Sequence, residues 1–262
     1  MQAEGARLLG ADDPPPFRLL RPTGGSDLLL TADHAGRAIP RRLGNLGLSA
    51  GELGRHIAWD IGITGVTEIL SEALDATAVL QTYSRLVIDC NRQPVWDSAI
   101  PVVSELTAIP GNEGISAAER DARCREIFLP YHTRIADLLD RRRAAGRRTV
   151  LIAMHSFTPV FKGERRNIEI GVLYNRDARL AGILLDLLRQ EGDLTVGYNQ
   201  PYAITDASDY TVPVHGEERG LPHVEIEIRQ DLIDDRAGQG AWASRLARLL
   251  RAADARLRAA AG

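Results

Sequence analysis

The sequence predicts an α/β protein, a three-layer sandwich with helices on both faces of a mixed, largely parallel central sheet. Three observations carry this. Short apolar runs alternate along the chain with longer helical patterns, the order that builds parallel sheets. The run TVLIAM at 149–154 is almost continuously apolar, as in a strand buried on both faces. HVEIEIR at 223–229 instead alternates with period two. A length of 262 residues with 44% hydrophobic content suits one large domain with a real core.

Residues 1–25 read as an N-terminal tail with a stiff Pro14-Pro15-Pro16 segment, and residues 26–262 as a single domain. LLL at 28–30 is a buried strand. Ser49-Ala50-Gly51-Glu52 has capping-box spacing and opens a helical stretch to about residue 74, weakened by Gly54, Gly62 and Gly65. TAVLQT at 77–82 and LVID at 86–89 are strand-like. Pro94, Pro101, Pro110, Gly111 and Gly114 make residues 93–115 a long loop, of the length used for lids and binding loops. Ser116-Ala117-Ala118-Glu119 is a second capping box, starting a helix to about residue 145 that Pro130 is expected to kink or break. After TVLIAM come a strand at 168–174, an amphipathic helix at 178–190 and an irregular stretch at 199–222. The strand at 223–229 and a final helix from about 240 to 260 complete the chain.

The charge balance removes several function classes. Against 35 acidic residues stand 32 basic ones, all arginine except Lys162, for a net charge of −3. That argues against a bulk nucleic-acid binder. Two cysteines, Cys90 and Cys124, cannot build a disulfide framework or a cysteine-rich zinc site. The start of the sequence lacks a signal-peptide layout, and no apolar stretch nears the roughly 18 residues of a membrane span. A soluble, cytoplasmic protein with no membrane partner is expected. GxSxG, GxxxxGK[ST] and GxGxxG are all missing, which removes support for serine hydrolase, P-loop and simple Rossmann readings.

Two histidines stand at the ends of apolar strands. His34 follows LLL by four residues, and His155 directly follows TVLIAM. Ligands of open α/β sheets bind outside the carboxyl ends of strands, so both could reach one metal. Spacing alone leaves structural, hydrogen-bonded histidines as the other reading. A catalytic zinc takes three protein ligands and leaves a position for water. The third comes from HIAWD, where His56 and Asp60 share a helical face at i, i+4. Asp60 is preferred over His56, because two histidines and one carboxylate keep the site's charge low and its water acidic. In HVEIEIR, Glu225 and Glu227 share one face. That is either the solvent face of an edge strand or the source of a general base. Arg85 before LVID and Asn91-Arg92 after it are candidates for binding a substrate carboxylate, with surface salt bridges as the ordinary alternative.

Together ADHAGRAIP at 32–40, HIAWDIG at 56–62, SRLVIDCNR at 84–92, HSFTP at 155–159 and VEIEIRQDLI at 224–233 resemble the N-formylglutamate amidohydrolase family. This family is related to the zinc carboxypeptidases and aspartoacylase, with a phosphorylase/hydrolase-like fold. The resemblance implies a zinc enzyme, another divalent metal being an alternative, that cleaves formate from a small anionic N-acyl amino acid, N-formyl-L-glutamate above others. By motif, His34 and His155 match the metal histidines. Glu227 matches the catalytic glutamate and Arg229 the arginine that orients it or stabilises an oxyanion. Asn91, Arg92 and Arg85 match the substrate-carboxylate residues, and His215 in VPVHGEERG a substrate contact. The relatives take their acidic ligand from an HxxE motif, where this chain has His34-Ala35-Gly36-Arg37. The acid is therefore expected from elsewhere, at Asp60. Other readings are a related deacylase or peptidase on another anionic substrate, and a non-catalytic ligand-binding relative.

Overall fold

The computed structural model describes residues 7–260. Seven strands form the central sheet: β1 (Phe17–Leu20), β2 (Leu28–Ala32), β3 (Thr77–Gln81), β4 (Val150–Phe157), β5 (Ile170–Leu173), β6 (Val196–Tyr198) and β7 (His223–Arg229). Their order is β1-β3-β2-β4-β7-β5-β6. The inner strands β3, β2, β4 and β7 are parallel, whereas β1 runs antiparallel to β3 and β5 antiparallel to β7. Six helices follow in chain order: α1 (Ala50–Leu53), α2 (Ile63–Leu74), α3 (Ala117–Arg123), α4 (Leu129–Ala144), α5 (Arg179–Glu191) and α6 (Arg236–Ala259). Among the described residues no helix is long and apolar enough to cross a membrane.

Alternation along the strands sorts the core into two layers. Ile152 and Met154 of β4 and Val224, Ile226 and Ile228 of β7 pack under α2, α5 and α6. Leu29, Val79 and Leu151 face the other way, against Phe128, Tyr131, Ile135 and Leu139. The expected three layers are present. β7 is not an edge strand, however. It lies between β4 and β5, and Glu225 and Glu227 are buried.

Several local expectations give way to tertiary context. LVID is not a strand: Leu86, Val87 and Ile88 are buried in a turn. Backbone groups there find side-chain partners in place of a sheet. The Leu86 amide donates to Ser84 Oγ, Asn112 donates to the Leu86 carbonyl, and Arg123 to the Val87 carbonyl. The helix opened by Ser49 keeps its capping box but ends at Leu53. The chain turns through HIAWD, so His56 and Asp60 do not share a helical face, and α2 begins only after Gly62. Pro130 does not break its helix. A π-helical turn over Cys124–Phe128 precedes it and leads directly into α4, relieving the register that a proline disturbs.

The N-terminal segment makes contacts with the rest of the fold. Residues 1–6 lie outside the described residues, but the rest of the segment is tied down. The amides of Leu8 and Leu9 donate to Glu126, the Tyr83 hydroxyl donates to the Pro14 carbonyl, and β1 extends the sheet.

Gly62 has φ of 81°, and a Cβ there would stand 2.1 Å from the Ile233 carbonyl oxygen. Gly62→Ala is expected to cost about 2 kcal/mol or more in urea denaturation. Gly182→Ala, in α5 with open space around it, should instead be neutral or stabilise by about 0.5–1 kcal/mol. Equal effects at both sites would contradict the strain argument.

Candidate active site

The carboxyl ends of β2, β4 and β7 open into a cavity of about 440 Å³, where an open α/β sheet takes its ligands. His34 stands two residues past β2, His155 lies within β4, and Asp60 enters from the turn after α1. The Asp60 amide donates to the His34 carbonyl at 2.9 Å, which brings that turn against the strand end. All three side chains are buried, and one ligand atom of each lies within 4.8 Å of the others.

This geometry fits a divalent metal. Asp60 Oδ2 is 3.0 Å from His155 Nδ1 and 3.5 Å from His34 Nδ1. Ligands about 2.0–2.1 Å from a tetrahedral centre stand roughly 3.3 Å apart. Each imidazole turns its other nitrogen to a carboxylate: His34 Nε2 to Asp89 Oδ1 at 2.7 Å, and His155 Nε2 to Asp33 Oδ2 at 3.3 Å. Such outer carboxylates fix ring orientation in metal sites. His34 Nδ1 is buried with no hydrogen-bond partner.

Electrostatics separates the acids into two groups. Burial opposes charge on Asp60, but His34 and His155 outweigh it and hold the carboxyl well below its ordinary range. Burial disfavours charge on the His155 imidazole, but Glu225, Asp33 and Asp60 outweigh it and raise its pKa well above the ordinary value. Glu225 and Glu227 go the other way, because burial pushes each up to about 8 and His155 offsets it only in part. Glu227 pairs in register with His155 across β7 and β4. Its Oε2 has no hydrogen-bond partner.

Arg85, Asn91, Arg92 and His56 also line the cavity. Arg85 grips Asp89 Oδ2 through Nε and Nη2 at 3.0 and 2.7 Å, and its Nη1 is 3.6 Å from Asp60. Asn91 is occupied: its Oδ1 accepts the amides of Tyr210 and Thr211, and its Nδ2 donates to Asp209. Arg92 reaches the Ser208 carbonyl and Asp209. His56 is apart from the ligand cluster, 3.5 Å from Glu105.

Two expected site residues lie elsewhere. The Arg229 guanidinium turns away to Asp231 and to the Asn167 and Ile168 carbonyls, so it does not line the cavity. His215 is buried behind it, stacked on His132 with Nε2 3.0 Å from His132 Nδ1. Burial and the neighbouring His132 push His215 down to about 3, and it contacts a packed interior.

The family model for N-formylglutamate amidohydrolase matches residues 26–234. The chain belongs to the N-formylglutamate amidohydrolase family. A crystallised gene product of Agrobacterium tumefaciens is 42% identical, with 96% of this chain and all of that one covered at a TM-score of 0.92. The N-formylglutamate amidohydrolase of Ralstonia eutropha JMP134 shares the fold at 20% identity, covering 92% and 98% of the two chains with a TM-score of 0.67. No curated protein sequence matches. Family membership makes this chain a hydrolase of the amidohydrolase and deacylase kind.

Sequence reasoning did not single out Asp33 and Asp89, although each adjoins a motif residue. Asp33 accepts from the Tyr131 and Thr211 hydroxyls at 2.7 and 2.9 Å, on α4 and on the segment before β7. Only the fold brings those donors to it. Glu105, Tyr202 and Asp209 of the cavity wall carry no sequence signal at all.

A carboxyl whose folded-state pKa is raised costs stability as it ionises. For Glu227 the loss develops as pH rises from about 4.5 towards about 8. Glu227→Gln is therefore expected to stabilise the metal-free protein by on the order of 1–3 kcal/mol at pH 8.5. The gain should fade towards pH 4.5 in denaturation curves. A substitution that destabilises at pH 8.5 would contradict this.

Proposed function

We propose that the protein is a metal-dependent amidohydrolase that removes the formyl or short acyl group from an N-acyl amino acid, N-formyl-L-glutamate above others. His34, Asp60 and His155 would hold zinc or another divalent metal. The observation carrying this reading is the position of Glu227 beside that trio: in register with His155, unpartnered at Oε2, and poised near neutrality.

When bound, zinc supplies Lewis acidity that polarises the scissile carbonyl and makes a water easier to deprotonate. Glu227 takes the proton from that water and returns it to the amide nitrogen, turning the departing group into a neutral amine. A carboxyl whose pKa lies near the working pH can do both. Asp89 and Asp33 keep the two imidazoles turned towards Asp60. Arg85 lies against Asp60 and, with Arg92, binds the substrate carboxylate nearest the reacting bond. Asn91 acts through its neighbours, since its carboxamide fastens Tyr210 and Thr211 and so shapes the wall beside Arg92. Arg229 and His215 have no contact with substrate in this scheme.

The purified protein should contain a divalent metal and release formate from N-formyl-L-glutamate, with chelation abolishing turnover. His155→Ala should lose the metal. Glu227→Gln should keep it and lower kcat by about 10²–10⁴-fold, and Arg92→Ala should mainly raise KM. Protein without metal, together with full activity after Glu227→Gln, would overturn the mechanism. Faster turnover of acetyl or peptidyl substrates than of formyl ones would reassign the acyl specificity.

A further inference from the structure

We propose that Phe157, Phe161 and Tyr202 form a subsite for an aromatic side chain, so that the enzyme also deformylates N-formyl amino acids of the phenylalanine type. The chemistry rests on the amidohydrolase reading above, whereas the subsite rests on the cavity wall. Water adds its oxygen to the formyl carbon, the C–N bond breaks, and formate and the free amino acid leave, with Glu227 returning the proton to nitrogen.

The three rings line the cavity from separate parts of the chain. Phe157 follows His155 by two residues in β4, so the two share a face and Phe157 stands about 7 Å further towards the strand's carboxyl end. Phe161 belongs to a small hairpin in which Val160–Phe161 pairs with Glu164–Arg165. Tyr202 lies in the loop after β6. Arg166, which does not itself line the cavity, fastens the three together. Its guanidinium is 4.6 Å from the Phe161 ring centre, 4.7 Å from Tyr202 and 5.8 Å from Phe157, and Nη1 donates to the Tyr202 hydroxyl at 2.8 Å. A cation set against three rings holds their planes, so the wall exists before any ligand arrives. A second hairpin, Val103–Ser104 paired with Thr107–Ala108, adds Val103 to the lining. The two hairpins meet where the Lys162 amide donates to Glu105 Oε1 at 3.0 Å. Val103 and Tyr202 keep 55% and 41% of their surface open, which leaves apolar area at the cavity for an occupant to cover.

The placing of the other substituents assigns this wall to the side chain. The formyl group goes to His34, Asp60 and His155, and the α-carboxylate to Arg85 and Arg92. Each cation of the lining already has an acid beside it: Arg85 has Asp89 at 2.7 Å, Arg92 has Asp209 at 3.4 Å, and His56 has Glu105 at 3.5 Å. His34 and His155 face Asp89 and Asp60. Among the described lining residues no cation without a carboxylate stands by the rings. An uncharged, planar side chain needs none. It gains by leaving water, and ring-to-ring contact in an offset or edge arrangement adds to that. A cavity of about 440 Å³ falls in the range that holds drug-sized ligands, so a phenyl group is not shut out by volume.

The test measures kcat/KM of the metal-replete protein for N-formyl-L-phenylalanine, N-formyl-L-alanine and N-formyl-L-glutamate. The phenylalanine compound should exceed the alanine compound by roughly 10- to 100-fold, the worth of covering a phenyl group. Phe161→Ala and Tyr202→Ala should each lower that ratio, and the double variant should bring it close to unity. Phe161→Leu, apolar and of similar size, should keep most of it. A ratio taken on one preparation does not depend on how much of that preparation is folded. A wild-type ratio near unity, or one that survives in the double variant, would overturn the proposal. Turnover of N-formyl-L-glutamate with none of N-formyl-L-phenylalanine would also overturn it and leave the amidohydrolase reading standing. If none of the three is cleaved, that reading fails and calorimetry decides the subsite. L-Phenylalanine should then bind at least about tenfold more tightly than L-alanine, with the gap closing in the double variant, and equal affinities refute the subsite.

Discussion

The carboxylate of Asp60 is the point on which the site depends. Removed from water, it is tolerable only because positive or donating groups surround it. Oδ2 meets both imidazoles and accepts the Ser156 amide at 3.2 Å, Arg85 lies beside Oδ1, and the Asp60 amide holds the His34 carbonyl. These contacts join β2, β4 and the turn after α1. The polypeptide therefore cannot satisfy this one buried acid without also bringing the two histidines together. Asp89 and Asp33 repeat the logic one layer out, Asp89 against Arg85 and His34, Asp33 against Tyr131 and Thr211.

Around that centre the cavity wall brings six carboxylates together with Arg85 and Arg92. Such a wall offers many oriented donors and acceptors. It can tell one small anion from another by geometry more than by attraction. The arginine-for-lysine bias of the sequence finds a physical use here at a few positions only. Arg85 uses its planar fork on Asp89, and the buried Arg123 supports the Val87 and Gly111 carbonyls and Asn112. Many of the others are solvated charge.

Much of the architecture was legible because period-two and apolar-run patterns report burial directly. TVLIAM and HVEIEIR are strands, both capping boxes are present, and the layers are as read. LVID misled because an apolar run signals a dry surrounding, which a packed turn with side-chain partners satisfies as well as a sheet does. The HIAWD helix misleads because i, i+4 spacing speaks only for local geometry, whereas a hydrogen bond to the His34 carbonyl sets the position of Asp60. The convergence of His34 and His155 is readable from residue type at strand ends. Tyr202 is not, since the loop that brings it to the cavity wall is distant in sequence. Arg229 shows the opposite failure: it sits in a motif, but its guanidinium is taken by Asp231 and two carbonyls beyond the strand end.

β7 carries Val224, Ile226 and Ile228 on the face beneath the helices and Glu225 and Glu227 on the face beneath the cavity. Adding or deleting a single residue inside it would drive glutamates into the oily layer and isoleucines into the site together. Folding and chemistry are thus proofread by the same alternation, and no well-folded but chemically mute slip of this strand is available. Over evolutionary time, length changes should be purged from β7 and accumulate in the loops around the rim. There the family can alter what it accepts without disturbing how it cuts.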